Sequence, residues 1–287
     1  MSRIVYVNGH YRPYGEAAVH AEDRGFQFAD AVYEVIEVRD GHLVDETRHM
    51  DRLARSLSAI SIPPPMSRPA LAHVMREVVR RNRVRHGTVY LQVSRGAAPR
   101  EFLFPTADLR PTVVCLARVS SQTVLDARAA EGISVVSMPD IRWGRCDIKT
   151  VMLLPACLAK SDARDSGARE AWLVDADGFV TEGASSNAWI VTDTGELVTR
   201  PASSAILSGV TRATVIDALA HERMQLAQRP FRLTEALAAQ EAFITAASNI
   251  VMPVVRIDGA AIGDGRPGPI ALRLRAVFHE IAERASR

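Results

Sequence analysis

Strand and helix patterns alternate irregularly along all 287 residues, and this alternation constrains the fold more than any other feature of the chain. Val5–Val7 and His10–Arg12 flank Asn8-Gly9, a two-residue turn typical of a β-hairpin. Phe26–Val38 is predicted to be a buried strand, whereas residues 45–60 carry apolar side chains at helical spacing. The chain has no repeat period, no GxGxxG fingerprint and no P-loop motif. The sequence therefore predicts a mixed α+β protein.

The other elements follow from the same patterns, and they suggest two domains of unequal size. The polar run 120–123 is the predicted linker between a small N-terminal domain, 1–119, and a larger C-terminal domain, 124–287. The predicted helices lie near 69–82, 154–166, 210–224 and from 269 onward. The predicted strands lie at 88–94, 112–119, 132–138, 171–174, 186–191, 196–199 and 241–245, with a hairpin at 257–262.

Composition excludes several classes of function. A formal net charge of +2 is too small for a general nucleic-acid or membrane binder, and no run of 18 apolar residues is present. Cys115, Cys146 and Cys157 are odd in number and lack metal-ligand spacing, which indicates reduced thiols in the cytoplasm. We therefore expect a cytoplasmic protein that binds neither nucleic acid nor membranes and holds no metal.

The two lysines of the chain, Lys149 and Lys160, stand out because every other basic residue is arginine. An amine can lose its proton and attack a carbonyl, whereas a guanidinium stays protonated. Lys149 lies in a polar segment just after a predicted strand, which suits a Schiff-base lysine. Lys160 is predicted to be an ordinary charge on a helix surface.

A Schiff-base lysine suggests pyridoxal phosphate, and this cofactor requires two further groups. Its phosphate needs a cup of donors, which the predicted helix start at 208–212 offers through backbone N–H groups and the Thr211 hydroxyl. Its ring nitrogen needs an acid, and Glu182 is a carboxylate between a strand end and a turn of small residues. Each signal is weak alone, but they occur together with a rare lysine.

The chain resembles the fold-type IV pyridoxal-phosphate enzymes, and within them the D-amino-acid transaminases. The resemblance covers nearly the whole length. It is carried, in this order, by the segments 23–28, 32–36, 49–53, 94–100, 140–143, 145–149, 181–183 and 209–212.

The resemblance implies that Lys149 is the Schiff-base lysine and proton shuttle, that Arg52 binds the phosphate, and that Glu182 meets the pyridine nitrogen. It also implies a homodimer, a barrel-like C-terminal domain and a cofactor bound between the domains. Tyr33 would face the substrate and Arg100 would bind its α-carboxylate. The remaining cofactor-binding residues that it implies are Leu207, Gly209, Val210, Thr211 and Ala247.

Several positions depart from the pattern of the D-amino-acid transaminases, and the segment 28–31 lacks glycines that are common there. Phe102 stands where these enzymes usually have a histidine, so the substrate site loses a hydrogen-bond donor and gains an apolar ring. Glu101 adds a negative charge that we expect to compete for Arg100. Near the phosphate, Ala246-Ala247 replaces hydroxyl residues and leaves backbone donors.

The expected reaction is ping-pong transamination between D-amino acids and 2-oxo acids such as pyruvate or 2-oxoglutarate. Four alternatives remain open. A branched-chain L-amino-acid transaminase usually has a tyrosine where this chain has Leu154, and Phe102 would suit an (R)-selective amine transaminase. Aminodeoxychorismate lyase shares the fold and cofactor, and a non-catalytic cofactor-binding protein would also fit.

Overall fold

The computed structural model describes residues 3–106, 108–222 and 224–283. Contacts between Cα atoms divide the chain into two compact units. The first takes in the described residues of Met1–Ser121, Ile148–Met152 and Glu283–Arg287. The second takes in those of Gln122–Asp147 and Leu153–Ala282. Residues 1 and 2 of the predicted N-terminal hairpin and residue 223 of the predicted helix 210–224 lie outside the described residues.

The first unit is an antiparallel sheet with two long helices. The strand order is β2-β1-β6-β5-β3-β4. Its elements are β1 (Ile4–Val7), β2 (His10–Pro13), a 3-10 turn (Tyr14–Glu16), α1 (Arg24–Phe28), β3 (Ala31–Arg39), β4 (His42–Leu43), α2 (Glu46–Ala59), α3 (Arg68–Arg81), β5 (Gly87–Ser94) and β6 (Thr112–Val119).

Local sequence explains most of these elements. Asn8 and Gly9 have φ of 46° and 95°, the left-handed values that a two-residue hairpin turn requires, and Val7 pairs with His10. The apolar residues of α2 and α3 fall on one face of each helix and are buried, as their helical spacing predicted. The predicted hairpin and both helices are confirmed.

The segment Phe26–Val38 is not one strand. Its first residues belong to α1, which begins after Asp23, whose side chain accepts a hydrogen bond from the Gly25 N–H at 2.9 Å. Ala29 then turns the chain with a φ of 56° before β3 starts. The strand prediction failed there because a side-chain cap gives the backbone donors of α1 a local partner.

Residues 148–152 join the first unit through the start of β3. The Tyr33 N–H donates to the Lys149 carbonyl at 3.0 Å, and the Val151 N–H donates to the Ala31 carbonyl at 3.1 Å. The Lys149 N–H donates to the Ser56 hydroxyl of α2 at 3.3 Å. Lys149 is therefore fixed by its own backbone to both β3 and α2.

The second unit is a mixed sheet with five helices among its described residues. The order is β12-β11-β10-β13-β14-β7-β8-β9, and β15 pairs with β14. Its elements are α4 (Gln122–Glu131), β7 (Ile133–Pro139), α5 (Leu154–Asp165), β8 (Glu170–Val174), β9 (Val180–Gly183), β10 (Asn187–Val191), β11 (Leu197–Thr199), α6 (Val210–His221), β12 (Leu226–Gln228), α7 (Leu233–Leu237), β13 (Glu241–Ala246), β14 (Ile250–Ile257), β15 (Ala260–Ala261) and α8 (Pro269–Ile281).

The core of the second unit forms around buried aromatic rings. Trp189 of β10 stacks on Phe243 of β13 with ring centroids 5.4 Å apart, and the Trp189 Nε1–H donates to Thr245 at 3.0 Å. Trp172 and Phe231 meet edge to face at 6.1 Å. These strands carry the polar residues described below, so the packed sheet gives them a rigid base.

The predicted α+β class is confirmed. The elements that sequence patterns missed are short or weakly amphipathic, namely α4, β9, β12, α7 and much of β14. Among the described residues, every helix is too short or too polar to cross a bilayer.

Candidate active site

Lys149 presents its amine to an aromatic ring. The Nζ atom lies 4.3 Å from the centroid of the Tyr33 ring, which packs against Tyr90 at 5.5 Å. Lys160, on α5, is engaged differently, because its Nζ lies 3.1 Å from a carboxylate oxygen of the buried Glu170. Lys160 is thus a partner in an ion pair rather than the plain surface charge expected of it.

Arg52 is buried on α2 and is held by a carboxylate of β3. Its Nε donates to Glu34 at 2.8 Å and its Nη2 donates to the other carboxylate oxygen at 2.6 Å, a bidentate pair. Only 5% of Arg52 and none of Glu34 is exposed. Because Arg52 and Ser56 are four residues apart, one face of α2 carries both this cation and the hydroxyl that binds the Lys149 backbone.

His49 completes this cluster, which we call the Arg52 cluster: Glu34, His49 and Arg52. His49 Nδ1 lies 2.7 Å from Glu34. Burial lowers the pKa of His49 although the Glu34 carboxylate acts to raise it, so the imidazole is neutral at pH 7 and donates its Nδ1–H. Burial acts to raise the pKa of Glu34, but the charge and hydrogen bonds of Arg52 prevail and lower this pKa to about 2.

Glu182 lies in β9 and its carboxylate is surrounded by donors. Arg142 Nη1 donates to one oxygen, and Asn187 Nδ2 donates to the other at 2.8 Å. The Leu207 N–H lies within 3.2 Å of both oxygens, and the Leu207 carbonyl accepts from Asn187 at 2.9 Å. The structure therefore brings together two of the predicted residues, Glu182 and Leu207, both directly and through Asn187.

Arg142 is itself fixed by a second carboxylate. Asp140 accepts from Arg142 Nε at 2.9 Å and Nη2 at 2.8 Å, and it also accepts from the Thr181 hydroxyl at 2.7 Å. Burial works against the charge of Arg142, but Asp140 and Glu182 outweigh it and raise the pKa of the guanidinium. Arg142 is a permanent cation that orients Glu182.

The predicted phosphate cup is the start of a real helix. Gly209 is the N-cap of α6 and offers no side-chain cap, while Val210 and Thr211 form its first turn and are buried. The first N–H groups of a helix have no acceptor within it, so they can bind an anion. A Cβ atom on Gly209 would meet Asn187 Oδ1 at 2.0 Å, so only glycine fits there.

Ala247 lies in the turn between β13 and β14, and its methyl group offers no hydrogen bond, so its backbone must supply any contact there. Arg100 and Phe102 lie on the loop after β5 in the first unit. The Arg100 Cζ atom is 5.3 Å from the Phe28 ring centroid and 5.7 Å from that of Phe102. The Glu101 carboxylate accepts a hydrogen bond from the Phe102 N–H at 2.6 Å.

Sequence patterns missed several of the contacts that hold the predicted residues. Glu34, His49, Arg142 and Asn187 bind residues that lie 5 to 40 positions away, so no short motif joins them. The one available signal was the position of Asn187 in the small-residue turn that follows Glu182.

Comparison with known proteins points to one family. Residues 31–257 match the family described as amino-transferase class IV. The chain is 36% identical over 282 residues to the D-alanine aminotransferase of Staphylococcus haemolyticus, covering 98% of this chain and 99% of that protein. It is 38% identical over 274 residues to that of Bacillus licheniformis, covering 96% and 95%.

A solved structure supports the fold in the same way. The T.th. branched-chain amino acid aminotransferase with pyridoxamine 5'-phosphate superimposes with a TM-score of 0.88 at 26% identity. The match covers 98% of this chain and 94% of that one. The fold and family expected from the resemblance are thus confirmed, and the chain belongs to the class IV aminotransferase family.

Proposed function

We propose that this protein is a pyridoxal-phosphate-dependent transaminase that moves an amino group between D-amino acids and 2-oxo acids. The observation that carries the proposal is the placement of Lys149. Its amine lies against the Tyr33 ring on a doubly anchored backbone, whereas the other lysine, Lys160, is paired with a carboxylate. Relatives named D-alanine aminotransferase at 36–38% identity favour D-amino acids.

The residues present fit this cofactor. The first turn of α6 has no side-chain cap, so its backbone N–H groups suit a phosphate, and glycine at 209 leaves space for Asn187, which donates to Glu182. The fixed carboxylate of Glu182 suits a protonated ring nitrogen. When bound, the cofactor supplies an aldehyde for an amine and a ring that withdraws electrons from the substrate's Cα.

Each candidate residue then has a defined task. Lys149 would hold the cofactor through Nζ and, as a neutral amine, would move the proton of the substrate's Cα. Glu182, oriented by Arg142, Asn187 and Leu207, would meet the ring nitrogen. The residues that would bind the phosphate are Arg52, Gly209, Val210, Thr211 and the backbone at Ala247, and Leu207 would contact the ring.

The substrate-binding residues belong to the first unit. Arg100 binds the α-carboxylate with its planar fork, and Tyr33 faces the substrate beside Lys149. Phe102 provides an apolar wall in place of a donor. The proposed amino acceptors are pyruvate and 2-oxoglutarate, and the proposed assembly is a homodimer.

Phe102 supports a second candidate, an (R)-selective amine transaminase, because the ring sits directly beside Arg100. A branched-chain L-amino-acid transaminase ranks lower, since the solved relative with that name is 26% identical. Leu154, where such enzymes usually have a tyrosine, also argues against it.

Borohydride reduction of the purified holoenzyme tests the lysine assignment. Lys149→Arg keeps the charge but removes the nucleophilic amine, so we expect no covalent cofactor adduct by mass spectrometry. Lys160→Arg is the matched control, and it should retain the adduct because arginine can still pair with Glu170. An adduct that persists in Lys149→Arg would refute the assignment.

A substrate panel tests the reaction. We expect D-alanine with 2-oxoglutarate to give pyruvate and a D-amino acid, with L-leucine and (R)-1-phenylethylamine much poorer donors. Preferential turnover of the amine or of L-leucine would select the corresponding alternative. Release of pyruvate from aminodeoxychorismate without an amino acceptor would identify a lyase, and a cofactor band that no donor bleaches would identify a non-catalytic protein.

A further inference from the structure

Two buried arginines of the first unit share one carboxylate. Arg24 Nε donates to Asp30 at 2.8 Å, and Arg95 donates to both Asp30 oxygens, from Nε at 2.7 Å and from Nη2 at 3.0 Å. The side chains of Arg24, Arg95 and Asp30 are 3%, 9% and 7% exposed. The cluster therefore carries one more positive charge than negative, and a buried surplus charge needs other polar or aromatic partners.

Carbonyl groups and aromatic rings stabilise the extra buried positive charge. Arg95 donates to the carbonyls of Ser61 at 2.9 Å and Ile60 at 2.6 Å, and the Phe104 ring covers it at 4.0 Å. Arg24 makes two contacts of special interest. Its Nη1 donates to the Glu101 carbonyl at 2.7 Å, and the Phe28 ring centroid lies 4.6 Å from its Cζ.

Both contacts of Arg24 lead to Arg100. Glu101 is the next residue in the chain, so the bound carbonyl fixes the backbone that carries Arg100. Phe28 lies beside both guanidiniums, 4.6 Å from that of Arg24 and 5.3 Å from that of Arg100. Phe28 also meets Phe102 edge to face at 5.7 Å, so Arg100 rests on two rings that support each other.

Resting on the proposed role of Arg100, we propose that Arg24 is a positioning residue for the α-carboxylate of the substrate. It acts through the Glu101 carbonyl and the Phe28 ring. An arginine side chain that is not held in place loses rotamer entropy when it binds a ligand. Support of Arg100 on two rings removes part of that loss before the substrate arrives, and so lowers KM for carboxylate substrates.

A general structural role for Arg24 would give a different result. Loss of fold would lower kcat, cofactor content and thermal stability for every substrate. A positioning role raises KM for D-alanine and weakens competitive inhibition by propionate, which has a carboxylate but no amine, with kcat nearly unchanged.

The test uses the holoenzyme with two variants and one control. Arg24→Lys keeps the charge but loses the fork that reaches Asp30 and Glu101, and Phe28→Leu removes the ring but none of the hydrogen bonds of Arg24 and Arg95. We expect both to raise KM for D-alanine and Ki for propionate about threefold to tenfold. This is the change in affinity that corresponds to the loss of one cation–π interaction that holds the Arg100 side chain in place. Phe26→Leu changes an exposed ring of the same helix and should leave KM, Ki and kcat unchanged.

Arg100→Gln separates this proposal from the proposed function. If Arg100→Gln leaves KM and Ki unchanged while D-alanine is still turned over, the carboxylate site is elsewhere: the role of Arg100 and the positioning role of Arg24 fail, but the proposed transamination stands. If Arg100→Gln raises them but Phe28→Leu matches the Phe26→Leu control, the positioning role alone is refuted. Should Arg24→Lys lose its cofactor or its fold, Phe28→Leu decides the question.

Discussion

Arg52 and Arg142 are buried or largely buried cations, and each is held by a carboxylate whose role no sequence pattern revealed. Glu34 holds Arg52, and Asp140 holds Arg142. A long side chain that must present its charge to a ligand loses less entropy on binding when such a partner fixes it. At the scale of residues, Glu34 and Asp140 therefore matter as much to the geometry of the candidate site as the arginines that they hold.

Glu34→Gln should destabilise the protein strongly, because it leaves the Arg52 charge buried without its counter-ion. Removal of one partner of a buried ion pair typically costs about 3–5 kcal/mol. The matched control is Asp51→Asn, which breaks the exposed pair between Asp51 of α2 and Arg68 of α3 and should cost under about 1 kcal/mol. Urea denaturation of both variants measures the difference, and equal small losses would contradict the expectation.

His49 should make stability depend on pH near neutrality. Its pKa is lowered from 6.5 on folding, so its contribution is complete above pH 6.5 and is lost as the pH falls toward the lowered pKa. The contribution of Glu34 persists to lower pH and is lost between 4.5 and about 2.

We therefore expect the free energy of unfolding to fall as the pH drops below 6.5, and His49→Asn to reduce that slope. Asparagine retains a donor for Glu34 but does not titrate. His73→Asn, at an exposed position of α3, is the control variant and should keep the wild-type slope. An unchanged slope in His49→Asn would show that other groups cause the pH dependence.

At the scale of elements, the end of α1 carries a local strain. Ala29 adopts a left-handed conformation with a φ of 56°, which glycine tolerates better than residues with a Cβ. The turn is nevertheless needed, since it directs the chain from α1, which carries Phe28, into β3, which carries Tyr33 and Glu34.

Ala29→Gly should raise the free energy of unfolding by about 0.5–1 kcal/mol, because relief of the left-handed strain exceeds the added entropy of the unfolded chain. Ala54→Gly, on the exposed face of α2, should instead lower it by about 0.5–1 kcal/mol. Chemical denaturation gives both values. A loss of stability in Ala29→Gly would mean that the alanine methyl group makes contacts worth more than the strain.

At the scale of the whole molecule, the first unit exposes a run of large apolar side chains. The consecutive residues Phe102, Leu103 and Phe104 are 78%, 75% and 60% exposed. Contiguous exposed apolar surface on a stable protein usually marks an interaction site. This surface supports the proposed homodimer.

We expect the purified protein to have twice the 31.3 kDa mass of the chain by light scattering at micromolar concentration. Leu103→Glu places a charge in the apolar run and should shift the mass toward that of one chain. Val124→Glu, at a 54% exposed position of α4, is the control and should not. A mass of one chain for the unmodified protein at all concentrations would contradict the homodimer.

Local patterns were sufficient to predict many elements, and a few residue types were sufficient to select the site. The Asn8-Gly9 turn, the apolar faces of α2 and α3 and the scarcity of lysine are all visible within short windows of sequence. They led to the α+β class and to Lys149, Glu182 and the start of α6. The strand predicted from Phe26 failed because one capping carboxylate, Asp23, outweighed the apolar pattern.

The sequence by itself determined the class of fold and the family, because periodic burial and rare residue types leave a local signal. Only the tertiary structure decided what holds each functional group. Glu34 meets Arg52 across a strand and a helix, Arg142 meets Glu182 from 40 residues away, and Arg24 reaches the loop of Arg100 from 77 residues away. Hydrogen bonds and ion pairs act over a few ångströms in space, and distance along the chain does not reveal which side chains will lie that close.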